Sequence, residues 1–410
     1  MKQRILFLIS DTGGGHRASA QAIAEAINFL HPDRYEMIIE DLWKNHTPHP
    51  FRGMPNTYRW MTGPGLPLWK LLWSTLAQPT LHQHILDDIE ALVRNDITAY
   101  FRAVQPDMVV SVHPLLNRIG LDCLRTVHLA IPFVTVVTDL VTFHPTWIEP
   151  RVTRCIVPTE PARQQAIALG MAPEKLAVYG QPVSLKFAQP VADKSTLRKA
   201  LGLNPDRPTI LLTGGGEGGG QMRTIAQAIA TQANQTQLMI VTGRNQSLRK
   251  ELEALRWEIP TQIYGFVDNM PELMHAADML VTKAGPGTIS EALIAGLPMI
   301  LADFIPGQET GNVHFVEGNG VGRYTNRPEE IAQLVLAWIQ PGNPILQTMA
   351  TNAARLARPR ASLLIGEDLC YLLEHGSART ADMSPADTSH RAHANRQAVG
   401  NLPQTVKRSQ

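Results

Sequence analysis

Apolar positions along the chain fall into short unbroken runs separated by helical stripes, and the same succession occurs twice. Ile5, Leu6, Phe7, Leu8 and Ile9 form one run, followed by Ser10-Asp11-Thr12-Gly13-Gly14-Gly15-His16. Ala20, Ile23, Ile27 and Leu30 then recur on one helical face, so the segment predicts a buried strand, a glycine turn and a helix. Residues 209–213 repeat the design, leading into Gly214-Gly215-Gly216-Glu217-Gly218-Gly219-Gly220 and a helix through Ile225 and Ile229. Further buried-strand candidates are 108–112, 133–138 and 155–157 in the first half, and 238–242, 279–282 and 299–301 in the second. Two copies of strand, turn and helix predict two α/β domains built on parallel sheets.

The prolines at 182 and 190 and Asn204-Pro205 mark the junction, giving an expected first domain of residues 1–183 and a second of 184–376. The apolar helical stretch at 361–374 is able to pack back across that junction. From 377 to 410 Ser, Thr, Asn, Gln, Arg and Ala dominate with little to bury, which predicts a disordered tail.

Composition narrows the function classes. A chain of 410 residues exceeds what one hydrophobic core usually organises. The formal net charge of +1 gives no global attraction to nucleic acid, so any basic surface is local. Cys123, Cys155 and Cys370 are odd in number and far apart, which fits reduced interior thiols better than disulfides or a zinc site. No apolar run approaches the roughly 20 residues that cross a bilayer. The run at 5–9 ends in a glycine loop rather than a cleavage site, so a first strand is expected in place of a signal peptide, with no room ahead of it for a targeting segment. The expected location is cytoplasmic.

One stretch departs from the α/β pattern. Between Leu42 and Leu86 there is no Asp or Glu, while Lys44, Arg52, Arg59 and Lys70 carry positive charge. Trp43, Trp60, Trp69 and Trp73 are four of the chain's seven tryptophans, joined by Phe51 and Tyr58. Aromatic and basic side chains together suit the boundary between water and an anionic membrane. The plainer alternative is a helical hairpin whose aromatics pack internally.

The chemistry-bearing motifs follow strands. Lys283-Ala284-Gly285-Pro286-Gly287-Thr288-Ile289-Ser290-Glu291 predicts a strand end, a tight turn at Gly285 and Gly287, and a helix starting near Thr288. Free N–H groups there can hold a diphosphate, and Glu291, expected in the first turn, can accept bonds from a ribose hydroxyl pair. Gln308, Glu309 and Asn312 gather polar side chains after the next strand, at the edge where parallel sheets bind ligands. Phe266 and Val267 offer a packing face and backbone groups beside a base, and Gly214, Gly215 and Gly216 add N–H groups. In the first half, His16 stands at a helix start, where the dipole opposes protonation and favours a neutral general base. Asp11 and Asp139 are candidates to orient it. His113 and His144 also lie beyond strand ends, but their spacing matches no compact ligand motif, so no metal site is expected. Arg17 and Arg154 are candidate sources of positive potential.

Ser-Asp-Thr-Gly-Gly-Gly-His-Arg-Ala-Ser-Ala at 10–20 resembles the opening of the monogalactosyldiacylglycerol synthase family. That family is related to bacterial processive diacylglycerol glucosyltransferases and to the N-acetylglucosaminyltransferase of the lipid-linked peptidoglycan precursor. The resemblance continues through Val112-His113-Pro114, Val137-Thr138-Asp139-Leu140, His144-Pro145-Thr146-Trp147, Gly214-Gly215-Gly216-Glu217-Gly218, the 283–291 motif and Ile305-Pro306-Gly307-Gln308-Glu309-Thr310-Gly311-Asn312. It spans about residues 4–375.

The resemblance implies the glycosyltransferase B fold, two Rossmann-like domains facing across a cleft. It implies a UDP-hexose donor held mainly by the second domain, a 1,2-diacylglycerol acceptor, and no obligatory metal cofactor. His16 is the implied base, Glu291 the ribose partner, and Gln308 and Glu309 the residues that meet the hexose. The aromatic stretch falls where relatives associate with membranes. Galactose is the favoured sugar; glucose, another acceptor, a UDP-sugar epimerase and a non-catalytic sensor are the alternatives.

Overall fold

Two six-stranded sheets, parallel at every described pairing, organise the chain. The computed structural model describes residues 2–62, 64–76 and 79–376; the tail from 377 onward and the Arg59 side chain lie outside the described residues. The first sheet contains β1 (Gln3–Ile9), β2 (Tyr35–Asp41), β3 (Met108–Ser111), β4 (Phe133–Val136), β5 (Arg154–Val157) and β6 (Leu176–Val178), in the order β2-β1-β3-β4-β5-β6. The second contains β7 (Thr209–Thr213), β8 (Gln237–Val241), β9 (Thr261–Tyr264), β10 (Met279–Lys283), β11 (Met299–Asp303) and β12 (Gly322–Tyr324), in the order β12-β11-β10-β7-β8-β9. Both are doubly wound sheets, whose strand order reverses between β1 and β3 and between β7 and β10. Ligands enter such sheets beyond the strand ends at those reversals. The loops after β1, β3, β7 and β10 carry His16, His113, the 214–220 glycines and the 283–291 motif, and those after β4, β9 and β11 carry Asp139, Phe266 and Gln308.

The central strands are buried on both faces, as parallel sheets covered by helices require. The C-terminal helix, Ala361–His375, sets Ile365, Leu369, Cys370 and Leu372 into the same core as Ile5, Phe7, Ile9, Ile23 and Ile27 of the first sheet. Asp368 on that helix pairs with Arg154 at 3.3 Å, so this arginine ties the crossing helix down instead of projecting positive potential outward. Cys123, Cys155 and Cys370 are buried free thiols.

The aromatic stretch divides by face. Trp43 is fully buried in the first core, which removes it from any surface role. Helices Met54–Met61 and Leu66–Leu76 follow. Trp60, Leu68 and Leu71 are 53%, 42% and 62% exposed. Trp69 and Trp73 instead turn toward the second domain: the Trp69 indole N–H donates to the Pro306 carbonyl at 3.3 Å. A Cβ at Gly307 would lie 2.8 Å from the Trp73 ring, and Gly307 has a φ of +85°, so glycine is required there on both counts. No helix among the described residues is long and apolar enough to cross a membrane.

Candidate active site

The first reversal point presents His16. It is the second residue of helix Gly15–Leu30, which has no acidic residue in its first turn to offset the positive end of the dipole. Its Nδ1 lies 3.2 Å from the Thr138 hydroxyl, and its ring meets His113 edge-on at 5.0 Å between centroids. Burial lowers its pKa to about 4, against the opposing pull of a backbone hydrogen bond at Val112 and of the Asp11 charge. His16 is therefore neutral at pH 7. Its neighbour His113 is buried and shifted well down, chiefly by the same desolvation, so this pair adds no net charge to the pocket.

Neither carboxylate expected to orient His16 touches it. Asp11 is held by Arg17 through two hydrogen bonds of 2.8 and 2.9 Å, and that bond is the main cause of its lowered pKa. Arg17 is thereby committed within its own loop. Asp139 is buried and accepts from the Trp147 indole at 2.7 Å and from the Gln308 amide at 3.4 Å. Desolvation raises its pKa to about 6, opposed by those two donors. Thr138, one residue earlier, is the group in hydrogen-bond reach of the imidazole.

At the second reversal point the helix begins at Pro286, two residues before the expected start, with Gly285 as its N-cap. The first N–H groups of this helix, those of Gly287 and Thr288 included, have no acceptor within it. Glu291 consequently falls in the second turn. It is half-buried, and desolvation alone raises its pKa to about 8. The Gly214–220 loop lies beside this helix start, and a shallow crevice runs from Gly214 and Gly220 to Lys283 and Asp303. A Cβ at Gly218 would lie 2.0 Å from the Thr242 carbonyl and its φ is +60°, so this turn closes only with glycine.

The remaining predicted residues split between site and support. Asn312 is buried, and its amide donates to the Ala284 carbonyl at 2.9 Å, bracing the turn before Gly285 from behind. Glu309 is buried, paired with Lys283, and accepts from the Ile305 amide at 2.8 Å. Its carboxylate is committed to holding Lys283 and the loop, which leaves Gln308 as the side chain directed across the cleft. Val267 is half-buried against the second core, whereas Phe266 is 62% exposed with the Arg244 guanidinium 4.7 Å from its ring centroid. Arg244 also pairs with Glu217 at 3.2 Å. A Cβ at Gly14 or at Gly216 would stand 3.7 Å from that guanidinium, so Arg244 sits between the glycine turns of the two domains. Among the described residues no group of three or more His, Cys, Asp and Glu is placed to hold a metal ion.

This geometry has known relatives. A family model for monogalactosyldiacylglycerol (MGDG) synthase matches residues 16–183, and one for the glycosyltransferase family 28 C-terminal domain matches 209–362. The chain is 42% identical over 384 residues to a probable monogalactosyldiacylglycerol synthase, chloroplastic, of Glycine max, covering 92% of this chain and 72% of the relative. It is 43% identical to the monogalactosyldiacylglycerol synthase, chloroplastic, of Spinacia oleracea, covering 90% and 73%. The chain belongs to the monogalactosyldiacylglycerol synthase family. The fold of this family member is the two-domain glycosyltransferase B fold. A solved S. aureus MnaA-UDP co-structure shares it with a TM-score of 0.60 at 13% identity, covering 94% of this chain and 100% of that one.

In this synthase-family member the structure gives three residues, Thr138, Arg244 and Tyr58, contacts at the site that their sequence positions do not predict. Thr138 lies in the Val137–Leu140 motif beside Asp139, where an aspartate is the more obvious partner for an imidazole than a hydroxyl. Arg244 follows Gly243 at the end of β8, a strand-end position next to the glycine turn that was open to inference. Tyr58 gave no local signal, because its partner is 250 residues away in the chain.

Proposed function

We propose that this chain transfers a hexose, galactose favoured, from a UDP-sugar to the free hydroxyl of 1,2-diacylglycerol with inversion at the anomeric carbon. The reading divides the chain into an acceptor domain of residues 1–183 and a donor domain of 184–376. Transferase activity follows from family membership. The observation that carries the mechanism is a neutral His16 on the lobe opposite the free helix start at Gly287 and Thr288. His16 removes the hydroxyl proton as the glycerol oxygen attacks the anomeric carbon. The bond from that carbon to the diphosphate breaks, UDP leaves, and an α-linked donor becomes a β-glycoside. The N–H groups of Gly287 and Thr288 and those of the 214–220 loop offset the charge that grows on the leaving diphosphate. Phe266 and Arg244 frame the base, and Glu291 accepts from the ribose.

The acceptor reaches the cleft from a membrane. Trp60, Leu68 and Leu71 supply an exposed apolar face, and the exposed Lys44, Arg52 and Lys70 supply positive charge for an anionic surface. The reading is a peripheral enzyme on the cytoplasmic side. Its test is incubation with UDP-galactose and UDP-glucose in turn, with diacylglycerol in anionic vesicles. The expected products are UDP and β-galactosyldiacylglycerol. Isomerised UDP-sugar without any need for diacylglycerol, or binding without UDP release, would contradict it.

Donor binding should depend on pH through Glu291. Its pKa of about 8 in the free protein leaves the carboxyl largely protonated at pH 7, whereas ribose hydroxyls donate to the ionised form. Binding therefore releases a proton, and UDP affinity should rise roughly 25-fold from pH 6.5 to 8.5. Calorimetric titration should find this rise in the wild type and none in Glu291→Gln.

A further inference from the structure

The helices Met54–Met61 and Leu66–Leu76 place an aromatic row against the loop that carries Gln308. Tyr58, Trp69, Trp73 and His144 follow one another with ring centroids 5.3, 5.4 and 4.9 Å apart. Within this row the Tyr58 hydroxyl donates to Gln308 Oε1 at 2.9 Å. Gln308 Nε2 donates to Asp139 Oδ1 at 3.4 Å, and Asp139 Oδ2 accepts from Trp147 at 2.7 Å. Burial and the nearby Glu309 and Asp139 charges hold the Tyr58 phenol well above its ordinary value, so it remains a donor. An amide between a hydroxyl donor and a carboxylate acceptor satisfies both in one orientation only.

We propose that Tyr58 is a positioning residue for sugar recognition, which fixes the Gln308 amide so that it presents one acceptor and one donor direction to the hexose. This rests on the reading that Gln308 meets the hexose. Galactose and glucose differ only in the direction of one hydroxyl, and a locked amide reads direction where a rotating one does not. Tyr58 thereby links a helix of the exposed aromatic segment of the acceptor domain to donor choice in the other domain.

The test is the ratio of kcat/KM for UDP-galactose to that for UDP-glucose, with UDP binding measured alongside because UDP has no hexose. Tyr58→Phe should move the ratio toward unity by about 3- to 10-fold, the span of one neutral hydrogen bond, chiefly through KM. UDP binding should stay within about twofold of wild type. Gln308→Ala should move the ratio at least as far, and adding Tyr58→Phe to it should change nothing more. An unchanged ratio in Tyr58→Phe beside a shifted one in Gln308→Ala would overturn the inference and leave the underlying reading intact. An unchanged ratio and KM in Gln308→Ala would overturn that reading itself. Loss of UDP binding in Tyr58→Phe, equal to its loss of hexose discrimination, would also overturn the inference, since the residue would then support the cleft in general.

Discussion

Replacing His16 with alanine should lower turnover by about 10²- to 10⁴-fold, the range that a positioned general base contributes. UDP binding should survive, because the proposed nucleotide contacts lie on the opposite lobe. The loss should appear in kcat and kcat/KM together, the pattern of an interaction made only in the transition state. The pH behaviour separates this base from an ordinary histidine. With a pKa of about 4 in the folded protein, the imidazole stays neutral down to that value, so no acid limb near 6.5 belongs to it. The linkage has a definite sign. Between about 6.5 and 4 the unfolded chain binds a proton that the folded chain refuses, so this group's contribution is full above 6.5 and declines as pH falls toward 4. His16→Ala should flatten that part of the stability profile while removing turnover.

The second large effect concerns the membrane. Substituting serine at Trp60, Leu68 and Leu71 together should weaken co-sedimentation with anionic vesicles by about 100-fold, since three apolar side chains lose their insertion energy. Activity toward a short-chain acceptor in free solution should remain. Trp69 and Trp73 belong to a different experiment. Their rings pack toward Pro306 and Gly307, so replacing them should raise KM for the donor before it alters vesicle binding. Unchanged sedimentation of the triple variant would remove the membrane role from this face.

Much of the fold was legible in the sequence. The strands found from apolar runs, β1, β3, β4, β5, β7, β8, β10 and β11, are the interior strands of the two sheets, covered on both faces. The strands that gave no such run, β2, β6, β9 and β12, are the edges. Tyr35–Asp41 has only a three-residue apolar run, Met37 to Ile39, between acidic residues, and Leu176–Val178 and Gly322–Tyr324 are three residues each, so an edge strand with one open side leaves a weak pattern. That the candidate residues lie after strands was legible, because the strand-and-turn pattern is local. Their partners were not. Whether Asp11 faces His16 or Arg17, and whether Glu309 faces a sugar or Lys283, depends on rotamers and on neighbours distant in sequence. The structure divides the aromatic stretch by surroundings: Trp43 is interior, Trp69 packs against the loop at Pro306, and Trp60 is exposed.

The central claim is that an uncharged imidazole on one lobe faces the anomeric carbon of a sugar whose diphosphate is gripped by the other lobe. A structure bound to a non-hydrolysable UDP-galactose analogue measures this directly. The account predicts the His16 ring on the face of that carbon opposite the diphosphate, within about 6 Å, leaving room for one acceptor oxygen in contact with both. A ring on the diphosphate side, or too remote for a single oxygen to bridge, would contradict it.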